Sequence, residues 1–295
     1  MSDAAALEAV WAVLRGVADP EIPVLSLVDL GVIRNVSLQA AADQRFDRGG
    51  RKTQDDLAAS GFGAELNKAL TRKLLKTLSS LRSDRADSAW SAYRSTCSYS
   101  DEDREAKDRF VREAVAGRSI DLAWDLGAND GAYARLVAET ARYVVAVDYD
   151  DVTVDAMYRS FRADGIRNVM PLVMNLVDPS PARGWRGTER RAFTDRGQPD
   201  LVLALALVHH LALAANVPLE QVVDWFADLG GTLIVEFVEP HDPMADRLLG
   251  NKQAGLFPDY RIEEFERILG ERYQITSHLR LPSGSRTLYV GEPRR

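Results

Sequence analysis

The chain has 295 residues, a hydrophobic fraction of 46% and a formal net charge of −7. That length accommodates one large α/β domain plus an appendage, and the acidic total weighs against broad nucleic-acid binding, which needs a basic face. The single cysteine, Cys97, excludes an internal disulfide, no Cys/His set has zinc spacing, and no apolar run reaches the roughly 18 residues of a membrane span.

The N-terminus carries Asp3, Glu8 and Asp19, with no basic segment ahead of an apolar one. It is not read as a signal peptide, and the cytoplasm is the expected location. Residues 4–17 read as a helix with Leu7, Val10, Trp11 and Leu14 on one face. Asp19-Pro20-Glu21-Ile22-Pro23 is a turn, and 24–36 is an apolar, strand-like stretch broken at Gly31. Residues 39–62 are polar and linker-like. The segment 63–82 predicts a basic amphipathic helix. Its Leu66, Leu70, Leu74, Leu75 and Leu78 share a face, and Arg72, Lys73 and Lys76 suit either an RNA or membrane surface or a solvated side. Trp90, Tyr93 and Tyr99 follow, and Ser100 with Asp103 three residues on marks the start of a charged helix to about 116.

From residue 119 strand and helix signals alternate. Strands are expected at 120–125, 143–148, 169–174, 201–208 and 232–238, and helices at 132–141, 151–164, 219–229 and 262–269. The 201–208 run is apolar throughout, as a central parallel strand should be. Residues 273–281 and 287–291 flank Pro282-Ser283-Gly284-Ser285, a hairpin signal. The expected fold is a Rossmann-like α/β doubly wound, mostly parallel sheet with an antiparallel C-terminal hairpin, preceded by a helical extension. Three segments follow from this reading: a leader at 1–38, a linker and helical extension or lid at 39–118, and the α/β domain at 119–295.

The strongest chemical motif is Asp125-Leu126-Gly127-Ala128-Asn129-Asp130-Gly131, between a strand and a helix. Glycine permits positive φ there and lets a ligand approach the backbone. A dinucleotide fingerprint needs three glycines as G-x-G-x-x-G, and the spacing Gly127, Gly131 departs from it. An acidic residue before the first glycine suits a cationic amino-acid ligand better than a phosphate. Asp148 closes the next strand, 21 residues after Gly127. A carboxylate there accepts both hydroxyls of a ribose, or else caps the following helix. His209 and His210 lie where the fourth strand is expected to end, facing the crevice. His209 is the candidate to take a proton from an acceptor, against the alternative of a packing histidine. Glu236, Glu239, His241 and Asp242 could join His209 around a metal, or be ordinary surface carboxylates; no metal site is expected.

DLGANDG with VVAVDYD resembles the first two motifs of class I S-adenosylmethionine-dependent methyltransferases. VMPLVMNLVDPSPARGW, DLVLALALVHHLALAANVPL, IVEFV and SRTLYV, with the Trp90, Tyr93, Tyr99-Ser100 and Lys107 pattern ahead of them, resemble bacterial nodulation-protein-like methyltransferases over about 90–289. The resemblance implies S-adenosylmethionine as cofactor. It places Gly127, Asp125 and Asn129 against its methionine part, Asp148 on its ribose, and Asn175 and Leu176 near adenine, although Asn175 also fits a turn. Tyr99 and Ser100 would belong to a lid. The implied activity is methyl transfer to an oxygen or nitrogen of a small-molecule or glycan acceptor. The rivals are an RNA methyltransferase, a non-catalytic S-adenosylmethionine-binding protein and, disfavoured by the glycine spacing, an NAD-dependent oxidoreductase. Separately, DPEIPVLSLVDLGVIRNV, within 10–36, resembles the start of a domain shared by iron–sulfur assembly factors and a phenylacetate-oxygenase accessory subunit. No iron–sulfur function is carried over from it.

Overall fold

The computed structural model describes residues 64–80, 99–250, 252–253 and 255–294. The expectations for 1–63, and for Trp90 and Tyr93, lie outside them. The chain divides into two units, residues 1–84 and 85–295. In the first, the described element is helix α1 (Ala64–Ser80), close to the expected bounds, with Leu74, Leu75 and Leu78 exposed. No described helix is long and apolar enough to cross a membrane.

The second unit opens with α2 (Asp101–Val115). Its start is locally encoded: the Asp103 N–H donates to Ser100 Oγ at 3.0 Å, and the Ser100 N–H donates to the Asp103 carboxylate at 3.2 Å. This reciprocal box satisfies two amides that a helix start leaves open. The remaining order is β1 (Leu122–Leu126), α3 (Ala132–Ala138), β2 (Tyr143–Asp148), α4 (Asp151–Ala163), β3 (Val169–Val173), β4 (Leu201–Ala204), a π-helical turn (His210–Ala214), α5 (Leu219–Leu229), β5 (Thr232–Val238), α6 (Pro243–Leu249), α7 (Ile262–Arg272), β6 (Tyr273–Arg280) and β7 (Arg286–Pro293). The seven strands run β3-β2-β1-β4-β5-β7-β6. The first five are parallel, and β7 is antiparallel to both β5 and β6. The order reverses between β1 and β4, where a doubly wound sheet opens its crevice.

Strand alternation divides the core between the two faces. Trp124 and Leu126 of β1 pack with α5 and α7 residues such as Phe226 and Phe265. Ala123 points the other way, among Val111 of α2, Val137 of α3 and Phe161 of α4. β5 is buried along its whole length because it has β4 on one side and β7 on the other.

The expected doubly wound sheet and hairpin are both present. Three boundaries differ by three residues or more. α3 stops at Ala138, and α7 continues to Arg272 and enters β6 directly. β4 ends at Ala204, four residues before its expected end. The chain turns there, with Ala206 at φ +51°, and Val208 and His209 already belong to the helical turn. The apolar run read as strand because its turn is itself core: Leu205 packs on one face and Leu207 and Val208 on the other. Helix α6 was not expected, although Asp242-Pro243 is a start signal: the Asp242 side chain accepts from the Met244 N–H at 2.9 Å, and proline fills the first turn.

Candidate functional site

The turn after β1 leaves the sheet through Gly127, at φ +76°. Its backbone folds back onto β2: the Gly127 and Ala128 N–H groups both donate to Val147 O at 2.8 Å, and the Asn129 N–H donates to Asp148 Oδ2 at 2.8 Å. The Gly131 N–H goes to Ala128 O and the Ala132 N–H to Asp130 Oδ1. Five of the six amides from Gly127 to Ala132 are therefore spent within the turn. A phosphate cradle needs such amides free to point at the anion. Gly131 serves packing instead: at φ +77°, a Cβ there would lie 2.6 Å from Phe161 Cζ and 2.7 Å from Met157 Cγ, so α4 fits against the start of α3 only over a glycine.

Carboxylates stand where the amides do not. Asp125 is 2% exposed, and its Oδ2 has no hydrogen-bond partner among the described residues. Burial pushes its carboxyl up to about 7, against the pull of Lys107. Asp148 accepts the Asp150 N–H on Oδ1 and the Asn129 N–H on Oδ2, and burial raises it too. The cap of α4 is Asp150, whose Oδ1 accepts the Thr153 N–H at 2.9 Å. Asp148 is thus held at the crevice by two amides, and each oxygen keeps a lone pair for a further donor.

A cavity of about 1030 Å³ opens at these carboxyl strand ends. Asp125, Gly127, Asn129, Asp148, Asn175 and Leu176 all line it, so the structure brings these six together. Asn175 also shapes its own turn, its Oδ1 accepting the Val177 N–H at 3.1 Å. His209 is placed differently. It is fully buried, off the cavity wall, with neither ring nitrogen partnered among the described residues. Its neighbour His210 lines the cavity, the two rings lying 4.0 Å apart. Adjacent residues on a helical turn face different ways, and the early end of β4 gives the wall position to His210. Burial, with the Arg286 charge, pulls the His210 imidazole down to about 4, so it is neutral at pH 7.

A buried ion cluster, not foreseen from sequence, stands behind Tyr99 and Lys107 on the wall. Lys107 Nζ donates to Glu236 Oε2 at 2.6 Å and to Tyr99 Oη at 2.9 Å, and Tyr99 Oη donates to Glu236 Oε1 at 2.6 Å. Arg286 grips Asp242 through Nε at 2.8 Å and Nη2 at 3.1 Å, reaches Glu236 at 3.4 Å, and lays its guanidinium 4.1 Å from the Tyr99 ring centre. Although burial pushes Glu236 up, Lys107 and Arg286 hold it below the usual carboxylate range. Glu236 and Asp242, weighed earlier as metal ligands, are thus committed to cations, and the described residues hold no group of three or more side chains suited to a metal. The only sequence hint was Lys107 and Tyr99 in the pattern ahead of the domain.

Known proteins resemble the two parts of the chain differently. Residues 7–45 match the family described as iron-sulfur cluster assembly protein, a wider stretch than the motif itself. Among solved structures, the fold is similar to N-methyltransferase NodS from Bradyrhizobium japonicum WM9 in complex with S-adenosyl-L-homocysteine, at a TM-score of 0.49 and 11% identity, covering 71% of this chain and 100% of that one. It is also similar to an O-methyltransferase family protein from Burkholderia thailandensis, at a TM-score of 0.44 and 18% identity, covering 64% and 55%. Over 228 residues the chain is 34% identical to nodulation protein NoeA of Rhizobium meliloti (strain 1021), a match that takes in 76% of this chain and 47% of that protein, so the chain spans about half the length of this relative.

Proposed function

We propose that residues 99–294 form an S-adenosylmethionine-dependent methyltransferase, passing a methyl group to an oxygen or nitrogen of a small-molecule or glycan acceptor. The observation that carries this reading is the character of the wall. The glycine turn spends its amides on its own fold, while Asp125 keeps an unpartnered buried oxygen and Asp148 keeps acceptor capacity. That wall disfavours a pyrophosphate and suits a cationic amino-acid nucleoside. A cavity of about 1030 Å³ is at the upper end of small-molecule sites and leaves room for a second molecule. The motif resemblance supports the same reading.

Bound S-adenosylmethionine would supply an already electrophilic methyl group, so the chain's part is chiefly alignment. Asp148 holds the ribose hydroxyls, with Asn175 and Leu176 beside the adenine. Gly127 and Asn129 lie along the methionine part. Neutral His210 accepts a hydrogen bond from the acceptor's O–H or N–H.

Calorimetry with S-adenosylhomocysteine and NAD tests the assignment. S-adenosylhomocysteine is expected to bind and NAD not. Asp148→Ala should weaken S-adenosylhomocysteine roughly tenfold to several hundredfold, from lost charged hydrogen bonds of about 1.5–3 kcal/mol each. Asp150→Ala should instead cost about 1 kcal/mol of stability as a lost cap, with affinity within about twofold. Unchanged affinity in Asp148→Ala refutes the ribose assignment.

A further inference from the structure

The connection between β3 and β4 leaves the sheet along the cavity wall, through Asn175, Leu176 and Val177. Ser180 comes three residues later, within about 11 Å of Val177 by the reach of an extended chain. There the connection closes into a hairpin. The Phe193 N–H donates to Ser180 O at 2.9 Å, and Arg183 and Arg190 exchange both backbone hydrogen bonds, at 3.0 and 3.1 Å. Phe193 is buried and stacks on Trp124 of β1, ring centres 4.5 Å apart, which fixes the base of the hairpin on the core. The tip is tight: the Gly187 N–H donates to Gly184 O at 3.0 Å and the Thr188 N–H to Trp185 O at 3.2 Å. Within it Arg186 stands at φ +57°, a conformation that residues other than glycine seldom take. Such strain persists where the surrounding structure holds it, and functional positions are where it collects. Trp185, next to it, is 77% exposed, the most exposed of the large apolar side chains among the described residues. Arg186 and Arg191 are exposed as well. From Arg183 to Arg196 five arginines face only Glu189 and Asp195, a net charge of +3 on a chain of −7.

Building on the methyltransferase reading, we infer that this hairpin docks the acceptor, and that the acceptor is an acidic oligosaccharide. Trp185 packs against the apolar face of one sugar ring, and Arg186 and Arg191 pair with acidic groups along the chain. The guanidinium fork matches planar oxyanions in a way that a hydrated ammonium does not. One exposed indole suits a sugar better than a single-stranded nucleic acid, which is held by successive aromatic side chains along a basic groove. An acidic peptide would use the arginines and leave the indole without a ring face to cover it. Trp185 lies eight residues beyond Val177, at most about 29 Å of chain, a span that several linked rings can bridge.

The test is calorimetry on the full chain with a galacturonic acid tetramer, neutral cellotetraose, hexaglutamate and a short oligouridylate. The acidic tetramer is expected to bind at least about tenfold more tightly than cellotetraose. Trp185→Ala should weaken it about tenfold, and Arg186→Gly combined with Arg191→Gln should abolish the preference over cellotetraose. Glycine at 186 removes the guanidinium and also relieves the backbone, so the double variant keeps the turn. Equal binding of the two tetramers, binding of neither, or an unchanged affinity in Trp185→Ala overturns the inference. Hexaglutamate or oligouridylate bound as tightly as the acidic tetramer overturns the saccharide assignment in favour of that class. S-adenosylhomocysteine binding, measured on the same wild-type chain, keeps the two readings apart. Its presence without tetramer binding sinks the docking inference alone, and its absence refutes the methyltransferase reading on which the inference rests.

Discussion

At the scale of single residues, Asp125 shows how burial and ligand charge oppose each other. Its carboxyl is raised from 3.8 to about 7, chiefly by burial. The free folded chain therefore holds a proton that the unfolded chain has released, and stability falls as pH rises from about 4 through about 7. Asp125→Asn should remove this slope, so its melting temperature gains on that of wild type across that range. A cationic ligand reverses the preference, because it stabilises the ionised form. Binding of S-adenosylhomocysteine at pH 6 should thus release about one proton from wild type and none from Asp125→Asn. Calorimetry in two buffers of different ionisation enthalpy measures this, and equal proton release by both chains refutes the role. Asp125 was legible in the sequence because it stands two residues before the glycine that follows β1. The exchange of His209 for His210 on the wall was not, since two neighbouring histidines differ only in which way the turn aims them.

At the scale of elements, α2 carries Lys107 to the wall, and its start is fixed by Ser100 and Asp103. Asp103 does more than close the box: its Oδ1 accepts the Ser283 N–H at 2.9 Å, tying the helix to the β6–β7 turn. Ser100→Ala should cost about 1 kcal/mol, as a lost N-cap. Asp103→Ala leaves two backbone amides without their acceptor and should cost about 2–3 kcal/mol. Denaturant midpoints at unchanged m separate the two, and equal costs refute the tie. The box itself was readable because it is written in four consecutive residues. Its second partner, 180 residues away, was not. The end of β4 failed for a related reason: hydrophobicity reports burial, and a buried turn is as apolar as a buried strand.

At the scale of the whole molecule, among the described residues both core clusters and the cavity wall draw on residues from Tyr99 onward. A chain beginning at Arg85 should therefore fold cooperatively and bind S-adenosylhomocysteine within about twofold of the full chain, a difference under about 0.5 kcal/mol. Circular dichroism melting and calorimetry on the two chains check this. A folded short chain with much weaker binding would bring the first unit into the site.

The sequence by itself determined the parallel core, the glycine turn and the placing of Asp148 at the end of β2. Each depends on a property carried within a few residues: an apolar strand, a positive φ, a carboxylate one strand beyond the turn. The sheet order β1-β4-β5-β7 belongs to tertiary structure. It brings Lys107 to Glu236 across 129 residues and Arg286 to Glu236 across 50. No local pattern holds that pairing, because a buried lysine, glutamate and arginine read singly as solvated charges, and only the packing of α2 and β7 around β5 removes them from water together.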